Sequence, residues 1–497
     1  MSFLPEILSV SEMRQAEQSV PSHSEGLLME AAGYAVARIV AGRWSPRPIV
    51  VLCGTGGNGG DGYVAASCLK DAGWPVRVAS AGEPTGAASA AALRWNGSRE
   101  NLSLSSLDGV DLVIDALFGT GFSGSLDGPA REVVEAINAR GIPCVAVDLP
   151  SGVIAERGEV PGGLAPKSVL TVTFFRKKPA HLLLPAADFC GEVLVEGIGI
   201  PETCLEDIAP KSAENSPELW LDLFPWPDNV THKHDRGHGL VLGGAVKTGA
   251  ARLAAQAAAR AGAGLVTIAC PEALFPVYSA GAPHILVSPM AGEAALGELL
   301  SGQGRNVALL GPGGGVTKAL GRHILTTLDA PLDNVVLDAD ALTVMAEDDS
   351  LRGEVFRRLA ERVLLTPHMN EFCRLFRVPP EDVLRDKLGV VRRAAAESGC
   401  TILLKGADTI VAAPDDWAVI SRKSVPFLAT AGSGDILAGI ALGLVAQGMD
   451  VFEAACAATW IHGVAAERVG PGLVATDLLK EMPYVLRDIF MRSKSAH

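Results

Sequence analysis

The segment 430–439, Thr-Ala-Gly-Ser-Gly-Asp-Ile-Leu-Ala-Gly, concentrates more chemistry than any other stretch of this 497-residue chain. Gly432, Ser433 and Gly434 run into an apolar stretch that predicts a helix. Small residues there let backbone N–H groups converge into an anion hole, with the positive end of the helix dipole behind them. Asp435 falls in the first turn. A carboxylate at that point can take a proton from a hydroxyl while phosphate charge develops beside it. Aspartate near a helix start also caps routinely, but capping does not require three small residues ahead of it.

A second cluster lies near the N-terminus. Gly54-Thr-Gly-Gly-Asn-Gly-Gly-Asp-Gly62 separates an apolar strand-like run from a helix-like one. Its glycines allow close backbone approach to a ligand. Gly54, Gly56 and Gly59 match GxGxxG, but a dinucleotide oxidoreductase would also end its second strand in an acid for the ribose. That strand reads VRVASAG and has none. Asn58 and Asp61 add polar groups that a tight turn does not need. Asp115 ends the run DLVID, ahead of the loop Ala-Leu-Phe-Gly119-Thr120-Gly121. Asp148 ends PCVAVD, ahead of Leu-Pro-Ser151-Gly152. Each aspartate alone could be a cap or a turn residue. Polar loops on three successive strand ends point instead to one shared site.

Smaller pieces accompany Asp435. They are Lys405-Gly406-Ala407-Asp408-Thr409 after a strand, Thr366-Pro-His368-Met-Asn-Glu371 at a strand end, Asp338 and Asp340, and the loop Gly311–Gly315. Two patterns misdirect. GGAVKTG resembles a Walker loop, but Val246 stands where the glycine before Lys247 is required. His232, His234 and His238 cluster like metal ligands, although alternating histidines in a basic linker are more often solvated.

The elements that must carry these loops follow from periodicity. Short apolar runs (PIVVLCG, VRVAS, DLVID, IPCVAVD) alternate with helix-like segments in the first half, which predicts a parallel, doubly wound sheet. The pattern fails between 201 and 235, a segment rich in Pro, Glu and Asp that is expected to be a linker. It restarts with GLVLGG, GAARLAAQAAARAGA, LVTIAC, NVALLG and NVVLD, then RVLLTPH, TILLKGAD and the helix GDILAGIALGLVAQG, a second α/β layer. The chain is therefore expected to form two α/β domains.

A formal net charge of −14 argues against a protein that coats nucleic acid. Nine cysteines without a CxxC pair suit a reduced cytoplasm. The first residues lack a basic region ahead of an apolar stretch, so no signal peptide is expected. The longest apolar stretches are too short to span a bilayer. Abundant Gly and Ala, with 5% aromatics, suit close-packed α/β layers.

GTGGNGGDG, DALFGTG, DLPSG and KKPAHLLLPAADFCGEVLVEGIGIP together resemble the NAD(P)H-hydrate epimerase family over nearly the whole first half. GSGDILAG, TPHMNEF and KGAD resemble the ADP/ATP-dependent NAD(P)H-hydrate dehydratase family, a branch of the ribokinase-like fold, from about Asp235 to the C-terminus. The resemblance implies a Rossmann-like epimerase domain over 1–213 and a ribokinase-like dehydratase domain over 214–497. It implies that Asn58, Asp115 and Ser151 hold a potassium ion, and that Asp148 acts at the nicotinamide ring. Gly57, Asn58, Gly59, Gly60, Asp61, Gly119, Thr120, Gly121 and Asp148 would contact the hydrate. In the second half it implies phosphoryl transfer to the hydrate hydroxyl, then loss of phosphate, with Asp435 as base. Ala250, Gly313, Gly315 and His368 would contact the hydrate there. Lys405, Gly406, Ala407, Asp408, Thr409 and Gly434 would hold ADP or ATP with magnesium, which Glu371 and Asp340 would support. The expected partners are NADHX, NADPHX and the nucleotide, with no nucleic acid and no membrane, in a homo-oligomer. This chain departs from the epimerase pattern at Gly57, where the family usually has an asparagine. The competing reading is a vitamin-precursor kinase fused to a binding module that has lost catalysis.

Overall fold

Central strands of a parallel sheet are buried on both faces and so are apolar throughout. That rule selects β1 (Ile49–Cys53), which is buried along its whole length. β2 (Val76–Ser80) and β3 (Ser98–Asn101) lie on one side of it. β4 (Leu112–Ala116), β5 (Cys144–Val147), β6 (Leu170–Phe174) and β7 (Glu192–Glu196) lie on the other, giving the order β3-β2-β1-β4-β5-β6-β7 with every pair parallel. The edge strand β3 is polar and mostly exposed, so hydrophobic patterning could not find it. The order reverses between β1 and β4, and such a switch point opens a crevice at the strand carboxyl ends.

The computed structural model describes residues 5–20, 25–302, 304–358, 360–422 and 425–495. The first four residues of the N-terminal stretch lie outside these. The chain divides into two compact units, Met1–Ser212 and Ala213–His497.

The sheet of the second unit contains β8 (Ser212–Glu214), β9 (His238–Leu242), β10 (Leu265–Pro271), β11 (Leu286–Met290), β12 (Arg305–Leu310), β13 (Asn334–Leu337), β14 (Val363–Leu365), β15 (Thr401–Leu404), β16 (Thr409–Ala412) and β17 (Ala418–Ser421). Their order is β11-β10-β9-β12-β13-β14-β15-β16-β17-β8. Strands from β11 to β15 pair in parallel, whereas β15–β16 and β16–β17 are antiparallel. The switch point falls between β9 and β12.

Two helices set the second site. A Cβ at Gly439 would fall 2.3 Å from the Ala254 carbonyl oxygen, and one at Gly443 would fall 2.4 Å from that of Ala258. The helix Ser433–Ala446 therefore lies backbone to backbone on the alanine-rich helix Thr248–Ala261.

The segment 201–235 is not the open linker that its composition suggests. It contributes β8 to the sheet and buries Trp220 to 1% exposure in the core of the second unit. The Trp220 indole Nε1 donates to Asn215 Oδ1 at 3.2 Å, and Asn215 Nδ2 donates to Ser421 Oγ and the Cys456 carbonyl, both at 2.8 Å. Proline and acidic residues masked these anchors in the sequence. Nor is His238 exposed: it is a buried residue of β9 whose Nε2 lies 2.7 Å from Thr267 Oγ1. His232 and His234 stack on each other instead. None of the nine cysteines forms a disulfide among the described residues. Among the described residues no helix is long and apolar enough to cross a membrane.

Candidate active sites

The N-terminal site forms because β1 delivers its glycine loop against the loop after β4. A Cβ at Gly54 would sit 1.9 Å from the Leu117 carbonyl oxygen, and one at Gly59 would sit 1.9 Å from that of Gly54. Gly59 and Gly60 are buried beneath the loop, and a Cβ on Gly60 would strike Met29. They permit packing and do not face the ligand space. Gly57 is different: a Cβ there meets nothing within 4 Å. The helix Gly57–Asp71 starts at this loop with no side-chain cap.

A cavity of about 740 Å³ opens here. Gly57, Asn58, Asp61, Gly119, Thr120, Gly121 and Asp148 line it, so the structure brings these seven expected residues together. Asp115 and Ser151 lie just beneath, both wholly buried. The Ser151 backbone N–H donates to Asp115 Oδ2 at 2.8 Å, and the Ser151 hydroxyl donates to Oδ1 at 2.6 Å. The Phe118 N–H donates to Ser151 Oγ at 3.0 Å. Burial raises the Asp115 carboxyl above its ordinary range, and no cationic side chain offsets this. Among the described residues Asn58 Nδ2 is buried without a hydrogen-bond partner.

Asp148 follows β5 in a left-handed conformation, φ 63°. Burial pushes its pKa up, but Lys178 overcomes this and holds the carboxylate below the ordinary range. Lys178, 1% exposed, donates to Asp148 Oδ1 and Thr173 Oγ1 at 2.8 Å each and to the Phe174 carbonyl at 3.2 Å. Thr173 in turn donates its hydroxyl to Asp148 Oδ1. His181 Nδ1 accepts the Lys178 N–H at 2.9 Å, and Nε2 lies 2.8 Å from the Asp148 carbonyl oxygen. A carbonyl can only accept, so Nε2 carries the proton and the ring is neutral. Burial drives its pKa down to about 4, in agreement. Asp61 is the opposite case. Burial, then Asp148 and Glu17, raise its pKa well above the ordinary value, and only Lys178 opposes this.

Sequence reasoning missed Lys178, Thr173 and His181. The available signal was a basic pair, Lys177-Lys178, at the end of the apolar run Leu170–Phe174. It also missed that the helix Val10–Gln18 closes one wall through Met13, Arg14, Glu17 and Gln18.

The second site forms at the β9/β12 switch. Gly313 (φ 68°) packs against the turn that contains Lys247: a Cβ on it would fall 2.2 Å from the Lys247 carbonyl oxygen, and one on Gly244 would fall 1.8 Å from that of Gly313. Ala250, in the first turn of Thr248–Ala261, is half-buried beside this junction. The Gly315 N–H donates to Asp340 Oδ2 at 2.8 Å. Gly432, φ 90°, starts the helix Ser433–Ala446, again with no side-chain cap. Among the described residues the Asp435 side chain makes no hydrogen bond, so it is not a cap. Burial, then Asp338, lifts its pKa to about 6 despite Lys405 and Lys247.

Lys405 is committed inward. It donates to Asp338 Oδ1 at 2.7 Å, and its Nζ would lie 3.5 Å from a Cβ on Gly434. Gly406 and Ala407 are exposed at the following turn. The Asp408 carboxylate is buried on Lys387 Nζ, and Thr409 Oγ1 accepts the Gly406 N–H at 3.1 Å. Only part of the 405–409 run therefore faces outward. His368 caps the helix Met369–Phe376: its Nδ1 accepts the N–H groups of Asn370 and Glu371 at 3.1 and 3.3 Å, while Glu371 Oε2 accepts the His368 N–H at 2.9 Å. Half of the His368 side chain stays exposed.

Two α/β units, each with ionisable groups gathered at a switch point, define an enzyme with two separate sites. Residues 239–483 match the family model described as NAD(P)H-hydrate dehydratase, and residues 25–180 match the one described as YjeF-related protein N-terminus. A bifunctional NAD(P)H-hydrate repair enzyme from Coxiella burnetii is 35% identical, covering 92% of this chain and 94% of its own length. Another from Thermofilum pendens is 33% identical over 97% of this chain and 96% of its own. The chain belongs to the family of bifunctional NAD(P)H-hydrate repair enzymes. A ribokinase-like superfamily protein from Enterococcus faecalis, 23% identical, superposes with a TM-score of 0.51 over 56% of this chain and 96% of its own, which establishes the fold of the second unit.

Proposed function

We propose that the two sites act on one damaged cofactor. The N-terminal cavity takes hydrated NADH or NADPH and interconverts the R and S epimers. The C-terminal site uses ADP or ATP to phosphorylate the S hydrate hydroxyl, and loss of phosphate restores the reduced nicotinamide. The observation that carries this reading is Asp435, a carboxylate in a helix's first turn that caps nothing and has a pKa near 6. Such a group is poised as a general base for a hydroxyl. The backbone N–H groups at Gly432–Gly434 suit the transferring phosphate. Ala250, Gly313, Gly315 and His368 contact the hydrate, His368 through its half-exposed ring, whose Nδ1 is taken up by the helix cap. Gly406, Ala407 and Gly434 supply backbone to the nucleotide; Lys405 acts through its charge.

Asp115, Ser151 and Asn58 fit a potassium ion, because the set offers hard oxygens and one buried carboxylate with only neutral donors around it. When bound, that ion supplies positive charge beside the substrate. Asp340 fits as a support for magnesium, since one of its carboxylate oxygens remains uncommitted. Glu371 does not fit, because one oxygen caps the helix and the other faces His368 Nε2 at 3.4 Å. A homo-oligomer in a reduced cytoplasm completes the reading; sedimentation and cell fractionation test those two points.

The direct test is incubation of R and S hydrates of NADH with the protein and ADP or ATP. Absorbance of the reduced nicotinamide should return, with free phosphate released in equal amount. A stable phosphoester product would favour the kinase reading instead.

A further inference from the structure

Asp61 is a titratable group of the first cavity that the chemistry above does not use. It comes from the helix Gly57–Asp71, whereas Asp148 enters from the turn after β5. Both line the same cavity. Their settings are opposite. Asp148 is clamped by Lys178 and Thr173 through Oδ1, and its Oδ2 faces the ligand space beside Gly119. The Asp61 carboxyl has no hydrogen-bond partner among the described residues. The charged groups around it are Asp148, Glu17 and Lys178, with Arg14 on the same wall as Glu17.

We propose that Asp61 is a catalytic acid of the epimerisation and works with Asp148 as base, while Lys178 is the positioning residue that holds Asp148 through Oδ1. This rests on the epimerase reading of the first unit. The reacting carbon bears the added hydroxyl and is bonded to the ring nitrogen. Asp61 gives its proton to that hydroxyl oxygen, the C–O bond breaks and water leaves. The nitrogen lone pair forms the C=N bond of an iminium ion. A water on the other face then attacks the carbon, the π pair returns to nitrogen, and Asp148 accepts the released proton. One water leaves and one is added, so the product is the opposite epimer. Solvent exchange resets the two carboxyls. Paired groups whose surroundings push their pKa values apart in this way are the usual arrangement for acid–base work. Burial among like charges raises the Asp61 carboxyl, favouring its protonated form, and the Lys178 ammonium lowers the Asp148 carboxyl, favouring its ionised form, as the scheme needs.

The test uses the full chain without nucleotide and follows separated R and S epimers by chromatography. Wild-type kcat should fall on the alkaline side as Asp61 loses its proton, and on the acid side as Asp148 gains one. Asp61→Asn should lower kcat by about 10²–10⁴ with little change in KM, and should abolish the alkaline limb. Lys178→Met should move the acid limb to higher pH, which a merely structural role would not do. Dehydration of the S hydrate by the same preparations checks folding. If wild type interconverts the epimers but Asp61→Asn keeps its rate or its alkaline limb, the assignment of Asp61 is overturned and the epimerase reading stands. If wild type does not interconvert them, both fall.

Discussion

At the scale of single residues, the second site turns on whether Asp435 is chemical or structural. Asn and Asp rank alike as helix caps. Asp435→Asn should therefore be harmless if capping were its role. As a base it should cost about two to four orders of magnitude in turnover of S hydrate at saturating nucleotide. Nucleotide affinity should change much less, since the backbone N–H groups remain. The raised pKa adds a pH signature. A base is needed ionised, so kcat should decline as pH falls through about 6 and hold above it. Near-normal turnover of the variant would remove the assignment. Gly57 offers a gain-of-contact test. Its Cβ position is open, and asparagine costs less than glycine inside a helix. Gly57→Asn should leave the melting temperature unchanged or slightly higher and lower KM for epimerisation; a raised KM would show that the glycine is needed for room.

At the scale of elements, the sites depend on backbone approaches that only glycine permits. Gly439 lies on the Ala254 carbonyl, and its helix, Ser433–Ala446, carries Asp435 in its first turn. Gly439→Ala would overpack this contact and should destabilise the protein by about 1–3 kcal/mol, as denaturant unfolding would measure. It should also lower dehydratase turnover, because the Asp435 end of the helix must shift away from Ala250. Loss of stability with full activity would show that the helix start is positioned by other contacts. The glycine loop of the first unit follows the same logic at Gly54 and Gly59. Their reason is steric and local, which is why the glycine pattern was informative before any fold was known.

At the scale of the whole molecule, the chain divides between Ser212 and Ala213, and each unit has its own core. Fragments 1–212 and 213–497 should each give a cooperative melt when expressed alone. Distant sites act independently unless they share partners. Asp115→Ala should thus weaken epimerisation and leave dehydration of the S hydrate intact. Equal loss of both activities in a folded variant would contradict two independent sites. A cut after 235 should be worse than one after 212, because it strands β8 and Trp220 from the core of the second unit.

Local rules were enough to find the parallel strands, both glycine loops and the acids at the strand ends. Apolar periodicity, close backbone approach and strand-end polarity are all written within a few consecutive residues. Asp435, Asp115, Asp148 and Ser151 were legible for that reason. Lys178 was not, because a lysine becomes a site residue only when β6 sets it beside Asp148, 30 positions earlier in the chain. The same holds for Asp61 and Asp148. Both are plain aspartates in sequence, and only burial and neighbouring charge drive one up and the other down. The commitments of Lys405 to Asp338 and of Asp408 to Lys387 likewise join residues from separate elements. Ionisation is set by the field of groups distant in sequence, and only the tertiary structure brings those groups together.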